Sequence, residues 1–252
     1  MDTTKELPTV IAFCAGYGGI ERGLDLTGVE HRVIAYVEIE AFCIANLVAK
    51  METGELPPAP IYTDLKTFPA HLFRDRVDLI TGGYPCQPFS SAGKRLGEDD
   101  PRHLWPHIRR HIQAIRPVRC FFENVEGHIS LGLSSVISDL ESDDYQSTWG
   151  IFSASEVGAP HQRKRVYIMG NSDSAFSKRG GIPSRVDKEH ANTNGRGNEV
   201  RDEAPQQWLF EPRVGRVVDG GSDRVDRLRL LGNGVVPQTA AKAWNILSKR
   251  LN

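Results

Sequence analysis

Apolar residues along the 252-residue chain fall into short, nearly continuous runs, separated by glycine turns and by stretches with helical spacing. Leu7–Phe13, His31–Val37, Ile61–Asp64, Val77–Ile80, Pro117–Phe122, Tyr145–Ser153 and Val166–Met169 have the length and character of strands. Ile20–Leu24, Ala41–Lys50 and Ile129–Leu140 carry helical spacing, and Gln238–Lys249 reads as a closing helix with Pro237 at its start. Strands that alternate with helices point to parallel βαβ units. The expected fold is therefore α/β, with a doubly wound, mostly parallel sheet.

Two turns in this pattern carry chemistry. The first strand ends in Cys14-Ala-Gly16-Tyr-Gly18-Gly19 and a helix follows, which is a nucleotide-binding opening. Glu21 stands where a dinucleotide fingerprint has its third glycine, which counts against a nicotinamide- or flavin-dependent oxidoreductase. Glu38, at the end of the second strand, is suited to accept the two hydroxyls of a ribose. Asp64, at the tip of the third, is either an acceptor for an adenine amino group or an ordinary loop aspartate.

The second turn is Thr81-Gly-Gly-Tyr-Pro-Cys86-Gln-Pro-Phe-Ser-Ser-Ala-Gly93, with Gly82-Gly83 read as punctuation after the strand. Pro85 and Pro88 restrict the backbone on either side of Cys86, so its thiol is held as a candidate nucleophile at the carboxyl edge of the sheet. Lys94–Arg102 has the composition of a covering loop. His103, His107 and His111 recur every four residues, but nothing nearby completes a metal set, so no metal site is expected. Glu123 closes the strand beside the cysteine loop. Arg163 and Arg165, two apart on an extended segment, share a face and can reach one site.

Composition narrows the class. The 31 Lys and Arg nearly balance 32 Asp and Glu, but residues 161–230 hold fourteen basic against ten acidic side chains, compatible with a nucleic-acid cleft. The four cysteines show no metal or disulfide spacing, as suits a reducing, cytosolic compartment. No apolar run is long enough to span a bilayer, and no membrane association is expected. From Gly170 to Ser222, Gly, Asn, Ser and Arg dominate without a period; this is either a loop-built binding lobe or a disordered insertion.

Five motifs in order resemble the DNA (cytosine-5) methyltransferases, particularly the compact bacterial and phage type. They are Phe13–Gly19, Pro85–Ser90, Glu123-Asn-Val125, Gln162–Arg165 and Gly232-Asn-Gly-Val-Val-Pro237. The resemblance implies a Rossmann-like methyltransferase domain over 1–169 and 227–252, with a short target-recognition region at 170–226. It implies that S-adenosyl-L-methionine is bound by Phe13, Gly16, Gly18, Gly19, Glu38, Ile39, Asp64, Pro85, Asn233 and Val235. Cys86 would add to cytosine C6, Glu123 would contact the ring, Arg165 would hold the base oxygen and Arg163 would support the site. Gln87, Ser90 and Asn124 would contact the substrate. Double-stranded DNA is the implied partner, with a flipped-out base, a cognate restriction nuclease and a monomeric enzyme. An RNA cytosine-5 methyltransferase, such as one acting on tRNA, and a catalytically impaired DNA-binding relative are the alternatives. His161, where many relatives have glutamine, and the short variable region are departures from the family pattern.

Overall fold

The computed structural model describes residues 7–85, 104–172 and 234–251. Seven strands form one sheet: β1 (Thr9–Phe13), β2 (Arg32–Val37), β3 (Ile61–Tyr62), β4 (Leu79–Gly83), β5 (Arg119–Val125), β6 (Tyr145–Ser153) and β7 (Lys164–Ser172). Their order across the sheet is β3-β2-β1-β4-β5-β7-β6. The first five pair in parallel, whereas β7 runs antiparallel to both of its neighbours. The chain winds outward from β1 in one direction and from β4 in the other, so a crevice opens between them at the carboxyl edge.

Helices cover both faces. On one side, α1 (Gly19–Leu26), α2 (Ala41–Glu52) and α6 (Pro237–Arg250) pack with Val10, Ala12, Leu79, Phe121, Tyr167 and Met169. Trp244 of α6 is fully buried there, edge-on to Phe121 at 5.3 Å, and Phe121 stacks on Tyr167 at 5.5 Å. On the other side, α3 (Trp105–Ile115) and α5 (Leu133–Ser142) pack against Ile11, Phe13, Ile80, Cys120, Phe122 and Ile168. The apolar stripe Ile108, Ile112, Ile115 fixes the face that α3 buries, and a left-handed Arg116 (φ 58°) ends the helix. Adjacent residues of β5 therefore feed different cores, as a strand buried on both faces requires.

The structure departs from the sequence reading at four places. Gly82 and Gly83 lie inside β4, not in a turn after it: a Cβ on Gly82 would stand 3.1 Å from the Phe13 carbonyl oxygen and 3.3 Å from the Phe122 ring. β5 continues through Glu123 to Val125, so that carboxylate sits within the sheet. The expected helix over Ile129–Leu140 is two helices, α4 (His128–Leu131) and α5, separated at Gly132, whose Cβ would meet the His128 ring at 2.9 Å. Finally, Gly170, Asn171 and Ser172 belong to β7, the first two paired with both β5 and β6 and Ser172 with β6, so the strand runs on where the sequence shows no period.

The expectations for Lys94–Arg102, His103, Gln207–Phe210 and Arg227–Leu231 lie outside the described residues. His111 is buried with Nε2 2.6 Å from the Leu65 carbonyl oxygen, which is a structural role. Among the described residues no helix is long and apolar enough to cross a membrane, and no group of three or more His, Cys, Asp or Glu is arranged to hold a metal ion.

Candidate active site

The glycine turn follows β1 directly into the crevice. Cys14, Gly16 and Gly18 all have positive φ (48°, 57° and 78°), a sequence of kinks that two glycines make inexpensive. Glu38, at the end of β2, holds this turn: one carboxylate oxygen accepts from the Gly16 N–H at 2.7 Å and the other from the Glu40 N–H at 2.9 Å. Among the described residues the space beside Gly16 is open, since a Cβ there would meet nothing within 4 Å. Ile39 is 70% exposed at the same edge, an apolar side chain with no cover. Asp64 caps the turn after β3, accepting from the Lys66 N–H at 2.8 Å and the Thr67 hydroxyl at 3.3 Å. The ring of Phe13 is buried against Phe68 and His111. Burial, then the nearby Glu38 carboxylate, push the Cys14 thiol up to about 12, so it is a poor nucleophile.

The second group of side chains lies across β4, β5 and β7. Glu123 is buried on β5, beside Gly83 of β4. Arg165 of β7 lies diagonally opposite on the same face, its Nε 2.9 Å from Glu123 Oε1. The approach is close but badly aligned, so Oε1 gains an ion-pair contact without a well-formed hydrogen bond. Burial raises the Glu123 carboxyl to about 7, against the pull of Arg165 and Arg163. Arg163 precedes β7 with a left-handed backbone (φ 30°) and donates from Nη2 to the Gly234 carbonyl at 2.5 Å. Arg163 is therefore not on the extended segment from which a shared face was expected, and the two arginines are held by different partners.

Asn124 projects to the opposite face from Glu123. Its amide donates to the Tyr84 carbonyl at 3.0 Å, and its own oxygen accepts from the Val125 N–H at 2.8 Å. The Tyr84 hydroxyl lies 3.0 Å from Nε2 of the buried His128. These contacts fix the chain at Tyr84, one residue before the exposed Pro85 and two before the cysteine. Cys86, Gln87, Ser90 and Asn233 lie outside the described residues.

Val235 is packed against Gly19, where a Cβ would stand 2.6 Å from the Val235 carbonyl oxygen. Sequence reasoning missed several partners in this region. Tyr17 donates its hydroxyl to the Val235 carbonyl, and its own carbonyl accepts from Lys50 Nζ at 2.9 Å. Glu21 is buried and accepts from the Thr81 hydroxyl at 2.6 Å. A tyrosine between two turn glycines was the available signal for the first contact; nothing local marked the second.

A mostly parallel, doubly wound sheet with one reversed strand beside its edge is an architecture this chain shares with solved methyltransferases. The chain superposes on the S. pombe Dnmt2 methyltransferase with a TM-score of 0.64 over 97% of this chain and 99% of that one, at 17% identity. The particular family follows from sequence: the C-5 cytosine-specific DNA methylase model matches residues 9–211, and the chain belongs to that family. Among curated relatives, it is 32% identical over 165 residues to the Type II methyltransferase M.NgoMIV of Neisseria gonorrhoeae, covering 64% of this chain and 51% of the relative. It is 35% identical over 174 residues to M1.ScrFI of Lactococcus lactis subsp. cremoris, covering 67% of this chain and 42% of that protein. The chain thus spans about half the length of the curated relatives it matches. The family match includes the glycine turn, the cysteine loop, Glu123 and both arginines, and it stops before Asn233 and α6.

Proposed function

We propose that this chain transfers a methyl group from S-adenosyl-L-methionine to C5 of a flipped-out cytosine in DNA, through a covalent Cys86–C6 adduct. The observation that carries the reading is the pairing of buried Glu123 with half-buried Arg165, at the carboxyl edge next to the strand that leads into Cys86. The glycine turn fits the cofactor: open space beside Gly16, the Glu38 carboxylate beneath it and the uncovered Ile39 suit a nucleoside. Phe13, Gly18, Gly19, Asp64, Pro85, Asn233 and Val235 complete the proposed cofactor set. When bound, S-adenosylmethionine supplies an electrophilic methyl group on a sulfonium sulfur.

Cytosine C5 is a weak carbon nucleophile, and the side chains are suited to change that. The Cys86 thiolate adds to C6, and the electron pair displaced from the 5,6 double bond makes C5 nucleophilic. Negative charge grows at N3 and O2. Glu123, holding its proton up to about pH 7, donates to N3, and the Arg165 guanidinium holds O2. Arg163 keeps the segment before β7 in place. After methylation, loss of the C5 proton to water, departure of the Cys86 sulfur as thiolate and return of the N3 proton to Glu123 restore the aromatic ring. Gln87, Ser90 and Asn124 form the proposed substrate-binding group. A duplex hides both faces of the ring, so the base must leave the stack, at a cost of a few kcal/mol.

Residues 170–226 form the proposed target-recognition region, short enough to read only a few base pairs. A bacterial or phage-infected cytosol, a monomeric enzyme and a cognate restriction nuclease belong to the same reading. Incubating the chain with labelled cofactor and either mixed-sequence duplex DNA or tRNA, followed by bisulfite sequencing, tests it. Methylated cytosines in a short DNA motif are expected. Label in tRNA alone would reassign the substrate.

A further inference from the structure

Val235 and Gly234 are neighbours in the chain, yet their carbonyls are held by residues from two different sites. The Val235 oxygen accepts from the Tyr17 hydroxyl, in the middle of the glycine turn, and at Gly19 of that turn a Cβ would collide with the same oxygen. The Gly234 oxygen accepts from Nη2 of Arg163. Gly16 and Gly18, both left-handed, flank Tyr17 in the turn. Lys50 fixes it there, with Nζ on its carbonyl at 2.9 Å and 4.7 Å above its ring. The turn itself is tied to Glu38 through Gly16. A short path therefore runs from Glu38 through Gly16, Tyr17, Val235 and Gly234 to Arg163, which stands two residues before the Arg165 that pairs with Glu123.

We infer that Tyr17 is a positioning residue that couples occupancy of the cofactor turn to the geometry of the base pocket. The inference rests on the proposed methyltransferase reading. A ligand that settles the turn also settles Tyr17; its hydroxyl fixes Val235, and the adjoining Gly234 carbonyl sets where Arg163 stands. Coupling of this kind is reciprocal, so each ligand should tighten the other by one common factor. Tyr17→Phe removes the hydroxyl and keeps the ring over which Lys50 sits, so the turn retains its packing.

The test uses the full chain, S-adenosylhomocysteine, and a duplex that the wild-type chain methylates. Calorimetry gives the affinity for each ligand alone and in the presence of the other. In Tyr17→Phe the coupling factor should fall by about fivefold, the order of one hydrogen bond, while the affinity for each ligand alone changes by less than about threefold. Lys50→Met, which loosens Tyr17 and spares its hydroxyl, should move the factor in the same direction. A merely structural tyrosine would change both separate affinities or the melting temperature and leave the factor intact. A wild-type chain that binds the two ligands independently, or a Tyr17→Phe variant with the full factor, would overturn this inference alone. A wild-type chain that methylates no duplex would remove the methyltransferase reading, and this inference with it.

Discussion

Arg165 reaches back across the β5–β7 ladder to Glu123, its Nε 2.9 Å from a carboxylate oxygen that has no well-formed hydrogen bond. The pair sets a guanidinium beside a carboxyl that burial raises to about 7, and that combination has a measurable signature.

Burial raises Glu123 from an ordinary 4.5 to about 7. Between those values the folded chain retains a proton that the unfolded chain releases, so the native state binds more protons. Stability from this group is complete below the unfolded value, falls as pH rises through the window, and is lost above the folded value. Urea titrations at about pH 5 and about pH 8 should show a smaller difference in Glu123→Gln than in wild type. Methyl transfer should decline on the alkaline side with a midpoint near 7, as the proton donor disappears. Glu123→Gln should be slow throughout and lack that alkaline limb; an unchanged profile would remove Glu123 as the donor.

Glu38 accepts two backbone hydrogen bonds around the glycine turn. Glu38→Ala should weaken S-adenosylmethionine binding by about tenfold or more, since a hydrogen bond to a charged group contributes about 1.5–3 kcal/mol. Calorimetry reads this directly, and an unaltered dissociation constant would take Glu38 out of the site.

Gly23 marks where α1 meets α6. A Cβ there would stand 2.7 Å from the Ala240 Cβ and 2.8 Å from the Pro237 carbonyl oxygen. Gly23→Ala should therefore destabilise the fold by about 1–3 kcal/mol, through overpacking that the helices cannot relieve without separating. The urea midpoint is the measurement, and a neutral or stabilising substitution would contradict the close approach.

The Cys86 reading has a chemical trap. Fluorine at C5 cannot depart as a cation, so a 5-fluorocytosine duplex should accept the methyl group and remain attached. A denaturation-resistant complex that requires S-adenosylmethionine and maps to Cys86 is expected, and Cys86→Ala should form none while still binding DNA. Turnover of that duplex without a trapped species would refute the covalent route.

Much of the sheet was legible because buried parallel strands are continuous apolar runs, and the chain has them in the right places. Reading failed where a strand is built from residues that usually end one. Gly82 and Gly83 look like punctuation, but β4 needs side-chain-free positions against the Phe13 carbonyl and the Phe122 ring. Gly170-Asn-Ser172 looks like a loop, and only two flanking strands make it sheet. At the site, strand alternation accounts for Arg165 alone, because Arg163 stands before β7 on a left-handed backbone. Their partners, Gly234 and Glu123, lie 71 and 42 residues away, beyond the reach of any local pattern.

β7 is gripped along its length, with nine residues paired to β6 and seven to β5. Two neighbours reading the same strand act as a vernier: slipping it by one position would break both scales at once. The distance between Arg165 and Glu123 is therefore insulated from the connection ahead of Lys164. That connection can lengthen or shorten over evolution without detuning the pair. Arg163, one step outside the grip on a left-handed backbone, has no such protection, so the same drift would be felt first at its bond to Gly234.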